Sequence, residues 1–299
     1  MGETAALITA VCWAFSSIFF TAASKDAGSI PVNRMRLIFA VFLLLIVHTF
    51  MTGQLLPLEA ESYRWVWLGL SGIVGLVLGD SFLFEAYILI GNRLGTLLMA
   101  AVPMISSLGA WMFLSEELSL TAWLGMVLCT LGIIIVVMER NNGSSRETAH
   151  EKKRFFLGIL CAIGGAVGQA GGLILAKKGL ADNFPSISGV MIRMLIAMIF
   201  IWIITIFMGQ AKQSIVKVFS SSKTILNITG GSVVGPFLGV WLSQIAVQMT
   251  YVGVASTLMA LTPIIMLPIS KWYYKEDVSY RAIIGTTIAL AGVVTIFIL

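Results

Sequence analysis

Hydrophobic residues run along the chain in ten long, nearly unbroken blocks. They lie at about 4–24, 31–52, 65–90, 93–114, 119–139, 155–176, 186–209, 224–250, 252–274 and 279–298, separated by short polar connections. Each is close to the roughly 20 apolar residues that an α-helix needs to cross a bilayer core. None shows the period-two alternation of a membrane β-barrel strand. Backbone amides in hydrocarbon must find partners within their own segment, which leaves helices. The pattern predicts an all-α, polytopic membrane protein with ten transmembrane helices.

Composition agrees: of 299 residues, 58% are hydrophobic and 11% charged, against roughly 25% charged in a soluble domain. The chain opens MGETAAL, with Glu3 as its only charged side chain, so the first segment lacks the basic start of a cleavable signal and is expected to be retained. Cys12, Cys129 and Cys161 all lie inside apolar runs and read as small buried hydrophobes. With two histidines, His48 and His150, no metal or haem set is expected, and no cofactor. The net charge of +5 sits in particular loops and does not point to nucleic acid. Odd-numbered connections and their flanks hold thirteen Lys and Arg, whereas even-numbered ones hold only Arg64, Lys177 and Lys178. By the positive-inside rule the odd connections face the cytoplasm, which places both termini outside.

A shift of 160 residues aligns Gly75–Gly132 with the later part of the chain without gaps. Gly75, Gly79 and Ala86 fall on Gly235, Gly239 and Ala246; Leu98-Met99-Ala100 on Leu258-Met259-Ala260; Pro103 on Pro263; Glu116 on Glu276. Upstream, with small gaps, Cys12 meets Cys161, Pro31 meets Pro185 and Arg36 meets Arg193. Apolar composition alone would not bring Gly, Pro, Glu and Arg into one register. The chain therefore reads as a five-helix repeat at 1–139, a polar linker at 140–154 and a second repeat at 155–299, forming one integrated transport unit. An odd number of spans inverts the second copy relative to the first, the arrangement that supports alternating access to a site near the midplane.

Several of these residues carry a family resemblance. They are Trp13-Ala14 and Lys25 at the end of segment 1, Pro31 followed by Arg36, Pro103 in segment 4, and LSEELSLTAWLG (114–125) echoed by YKEDVSYRAIIG (274–285). Together they resemble the drug/metabolite transporter superfamily, in particular its ten-helix EamA-type branch. The resemblance covers the whole chain, and its diffuse motifs identify an architecture better than a substrate. It implies a carrier of small metabolites, often outward. It also implies a central cavity lined by helices 1, 3, 4, 6, 8 and 9, with 5 and 10 at the periphery.

The run GLVLGDSFLFEAY (75–87) places Asp80 and Glu85 inside segment 3. A carboxylate near the bilayer centre costs at least about 2.5–3.5 kcal/mol, so Asp80 is the first candidate for substrate binding or proton coupling. Arg36 and Arg193 occupy equivalent places and either snorkel to the interface or meet an anion. Arg36 and Glu85 should lie at similar depth, which predicts an ion pair or shared water network, while Arg193 has no acid in its own repeat. Trp241, Gln244 and Gln248 share one face of segment 8, with repeat mates Ser81, Phe84 and Ile88. That face either bonds to neighbouring helices or lines the cavity, and Trp13, Ser17 and Phe20 in segment 1, with Gln169 in segment 6, make a comparable one. Gly75/Gly79, Gly235/Gly239 and Gly164/Gly168/Gly172 are spaced for close helix packing. Pro103 and Pro263 each remove a helix hydrogen bond, leaving hinges or free carbonyls. Glu116 and Glu276 read as acids at the N-termini of segments 5 and 10.

The expected function is a secondary transporter of small polar metabolites, amino acids or related compounds, working outward. Its partners are a small-molecule substrate and membrane lipid, with no nucleic acid, and it acts as monomer or homodimer in a bacterial or archaeal cell membrane. No GxxxxGK[ST] motif occurs, so ATP is not the direct energy source. A flippase for lipids or lipid-linked sugars on the same scaffold is the main alternative. An intramembrane enzyme is remote: Glu85 is poorly phased to pair with Asp80, and His48 is the one histidine in a span. A non-transporting subunit remains a further reading.

Overall fold

The computed structural model describes residues 1–138, 149–273 and 280–297; for 91–94, 96–97, 136–138, 149–152, 267, 270–273 and 297 it describes backbone only. No strand occurs among the described residues. Helices α1 (Gly2–Ala27) and α2 (Ser29–Thr52) are joined by Gly28 alone. Its φ of 88° is a conformation that glycine adopts without a Cβ penalty, which permits the one-residue joint. Helix α3 runs continuously over 62–99 as Ser62–Ser71, Gly72–Gly79 and Asp80–Met99. Next come α4 (Val102–Leu114), α5 (Leu120–Met138), α6 (Ala149–Gly179), α7 (Ser186–Phe207) and a short α8 (Ala211–Phe219). Helix α9 spans 222–249 as Ser222–Ser232, Val233–Gly239 and Val240–Met249, and α10 (Val252–Met259), α11 (Thr262–Tyr273) and α12 (Tyr280–Phe297) complete the chain.

Among the described residues, six helices are long and apolar enough to cross a bilayer, and four shorter apolar helices fill the remaining places of the ten-span order. The protein is a polytopic membrane fold of two inverted repeats. Helices α3 and α9 start 160 residues apart, at Ser62 and Ser222, and both widen to π-type turns at equivalent places. Across each widened stretch a helix from the other half crosses closely: α6 on α3, and α1 on α9. At the first crossing, a methyl group on Gly168 would lie 2.7 Å from the Gly79 Cα, and one on Gly172 would lie 2.9 Å from the Gly75 Cα. At the second, the side chains of Ser16 and Trp13 fill the space beside Gly235 and Gly239. Helices α5 and α12 pack along each other, with the Cys129 thiol donating to the Ala289 carbonyl at 3.3 Å. The three cysteines are free and buried.

Four boundaries differ from the sequence expectation. The linker's residues 140–148 lie outside the described residues, but 149–154 are already helix, because Ala, Glu, Lys and Arg are good helix formers that extend α6 beyond its apolar run. Segments 3 and 4 do not separate near residue 91; the helix persists to Met99. It bends there: Gly95 rests against the Tyr87 ring, although eight residues of straight helix would span about 12 Å. Segments 4 and 9 break at 100–101 and 260–261, so Pro103 and Pro263 sit at the second position of a new helix instead of interrupting a continuous one. A missing amide at that position removes no intrahelical bond. Finally, α8 was not expected. It is a polar-apolar helix whose buried Ser214 accepts from Arg34 Nη1 at 3.0 Å.

Candidate functional site

A buried polar centre is built on Asp80, the residue immediately after the widened part of α3. It is only 7% exposed. Arg36, from α2, forms an ion pair with its Oδ2. Gln169, from α6, donates to its Oδ1 at 2.5 Å and also to the Gly75 carbonyl at 3.2 Å. Arg193, from α7, is 2% exposed and within electrostatic reach of the same carboxylate, without a hydrogen bond to it. Glycines make this possible. A methyl at Gly72 would overlap the Arg193 carbonyl oxygen, and one at Gly75 would lie 2.9 Å from Arg193 Nη2. The two repeats thus each direct one arginine toward a single acid. Phe20 and Phe84 flank the Arg36 guanidinium, their ring centroids 5.8 and 5.9 Å from it, in cation–π geometry.

Several donors remain free. Arg193 Nε and Nη1 and Arg36 Nε are buried without a hydrogen-bond partner. Buried charges ordinarily have their hydrogen bonds satisfied, so such orphans are costly and mark where an acceptor from a ligand would fit. Chemically the cluster combines two guanidiniums, one carboxylate, an amide and two aromatic rings, a set suited to anions and zwitterions. Among the described residues no group of three His, Cys, Asp or Glu could hold a metal ion.

Of the predicted site residues, the structure brings together Asp80, Gln169 and Arg193, and adds Arg36, which was expected to pair with Glu85. That pairing is corrected. Glu85 is exposed and lies near Cys161, while Arg36 reaches Asp80. Five residues turn Glu85 well away from Asp80's face, and the enclosed acid is the partner the cation needs. Trp241 and Gln248 serve their own surroundings: the indole donates to Ser186 Oγ at 3.1 Å, and the amide donates to the Leu180 and Phe184 carbonyls at 3.0 and 2.8 Å. They pin the α6–α7 connection. Gln244 is fully buried with neither amide atom partnered. Trp13 is half-buried against Gly239, and Ser17 donates to the Ala14 carbonyl at 2.7 Å.

Sequence reasoning missed a second network, at the end of the molecule near the amino terminus. Lys177 forms an ion pair with Glu116 and donates to the Thr250 carbonyl at 2.7 Å, while the Thr250 hydroxyl donates to Glu3 at 2.8 Å. Glu116 Oε2 accepts the Val252 amide at 2.8 Å. The acid therefore caps α10, not the neighbouring α5 as expected, because tertiary packing brings the start of α10 to it. Glu276 lies outside the described residues. A cavity of about 450 Å³ opens here, lined by Leu114, Glu116, Lys177, Lys178, Gln248 and Tyr251 among others. One signal was available: Lys177 and Lys178 are two of only three basic residues in the even connections, where Glu116 also lies. Elsewhere His48 and Ser188, both buried, hydrogen-bond at 3.0 Å and tie α2 to α7.

The profile of the EamA-like transporter family matches this chain twice, over residues 1–138 and 156–298. No curated protein sequence matches the chain significantly. Among solved structures, one titled "Crystal structure of protein" is 14% identical, with a TM-score of 0.78, covering 98% of this chain and 95% of that one. At that identity the likeness concerns the fold.

Proposed function

The chain belongs to the EamA-like transporter family, a family of membrane transporters of the drug/metabolite type, and from that premise we propose that it moves small polar metabolites by alternating access. The observation that carries the reading is the convergence of one arginine from each repeat on the buried Asp80, with guanidinium donors left unsatisfied. Amino acids or related compounds are the substrate class, and export from a bacterial or archaeal cell is the direction. Residues 1–139 and 155–299 act as the two halves that rock about this centre. Arg193 receives the anionic group of the substrate, and Asp80 and Gln169 orient it. The burial of Asp80 and Arg193 supports an enclosed site over the flippase alternative.

The test is uptake of a labelled metabolite panel into proteoliposomes by the wild type, Asp80→Asn and Arg193→Gln. Flux by the wild type and its loss in both variants is expected. Normal flux in both variants would refute the assignment of the site.

A further inference from the structure

We propose that Asp80 sets the charge of the ligand that this centre accepts, tuning it to a single carboxylate and against a second. The inference rests on the reading above that the centre is the ligand site. Three observations carry it. First, the cations come in a repeat-related pair, Arg36 and Arg193, whereas the anion does not: the position equivalent to Asp80 is Val240. The centre therefore holds two guanidiniums and one carboxylate, leaving one positive charge unmet. Second, both Asp80 oxygens are committed inside the protein, Oδ2 to Arg36 and Oδ1 to Gln169. Third, Arg193 is almost wholly buried, and among the described residues none supplies an acceptor to its Nε or Nη1.

An acid with one carboxylate completes this set and leaves the filled centre neutral. A second carboxylate of the same ligand would face Asp80 with no free guanidinium to meet it. Like charges at close range in a poorly solvated site repel strongly.

The experiment compares two acids of the same length, succinamate with one carboxylate and succinate with two. Their half-saturating concentrations are read from thermal stabilisation of the purified full-length protein, and the same pair is assayed as competitors of flux into proteoliposomes. The wild type should prefer succinamate, and Asp80→Glu should keep that order. Asp80→Asn should shift the ratio toward succinate by about tenfold or more. If Asp80→Asn does not fold, Arg193→Gln provides the second reading. With one cation removed the centre is neutral, and the preference of succinamate over uncharged succinamide should vanish. An unchanged ratio in Asp80→Asn, an unchanged preference in Arg193→Gln, or no stabilisation of any protein by either acid would overturn the proposal. Charge-dependent binding without flux would instead refute the carrier reading and leave the charge selection standing.

Discussion

Helices α3 and α9 are two copies of one element put to different uses. Both begin with a short helix, widen over an equivalent stretch, and meet a helix of the opposite repeat through glycines, Gly75 and Gly79 in one and Gly235 and Gly239 in the other. After the widening, α3 presents Asp80 to arginines from both repeats, whereas α9 presents Val240. The difference recurs at positions 72 and 232. Gly72 lets the Arg193 carbonyl approach the α3 backbone, while Ser232 donates its hydroxyl to the Arg36 carbonyl at 3.3 Å. Close backbone packing was kept in both copies, and the charged chemistry stands in one.

Making the first copy resemble the second is the strongest way to break this contrast. Asp80→Val should leave two buried guanidiniums without a counter-ion and destabilise the protein by about 3–5 kcal/mol. The expected result is a large fall in the melting temperature of detergent-solubilised protein, and melting like the wild type would contradict the geometry. A smaller loss, about 2 kcal/mol, is expected for Glu116→Gln, which removes the charge paired with Lys177 and weakens the cap on α10. Hydrogen exchange should rise at Val252 and its neighbours; unchanged protection would argue against the cap.

Positions 72 and 232 sharpen the comparison further. Gly72→Ala should cost about 1–3 kcal/mol, because the Arg193 carbonyl and α3 must separate. Ser232→Ala removes only one long hydrogen bond and should cost about 1 kcal/mol or less. Equal melting temperatures for the two variants would remove the distinction.

The smallest effect concerns pH. At the start of α3, Arg64 donates to Glu61 at 2.5 Å and holds its carboxyl below the usual carboxylate range. The equivalent start of α9 is capped by the uncharged Ser221, which accepts from the Thr224 amide at 3.4 Å. Because the folded-state value of Glu61 is lowered, its contribution is present above the unfolded carboxylate range and is lost as pH falls through the folded value. The melting-temperature gap between wild type and Glu61→Gln should thus narrow on acidification. Glu61 is exposed, so the gap will be small throughout. A gap that widens in acid would contradict the sign.

The sequence alone determined the fold class, the ten apolar runs and the duplication, though not every helix boundary. Each follows from properties that act locally or repeat along the chain: apolar runs long enough for a bilayer, and Gly, Pro, Glu and Arg recurring in register. It also singled out Asp80, Gln169 and Arg193 as polar groups in apolar surroundings. Which of them meet was decided by tertiary structure. Arg36 passes over Glu85 for Asp80, Arg193 finds its acid in the other repeat, and Glu116 caps a helix more than a hundred residues away. Residue spacing along one helix fixes a direction but not the neighbour in that direction. The neighbour depends on how closely glycines let the opposite repeat approach, and that distance exists only in the folded protein.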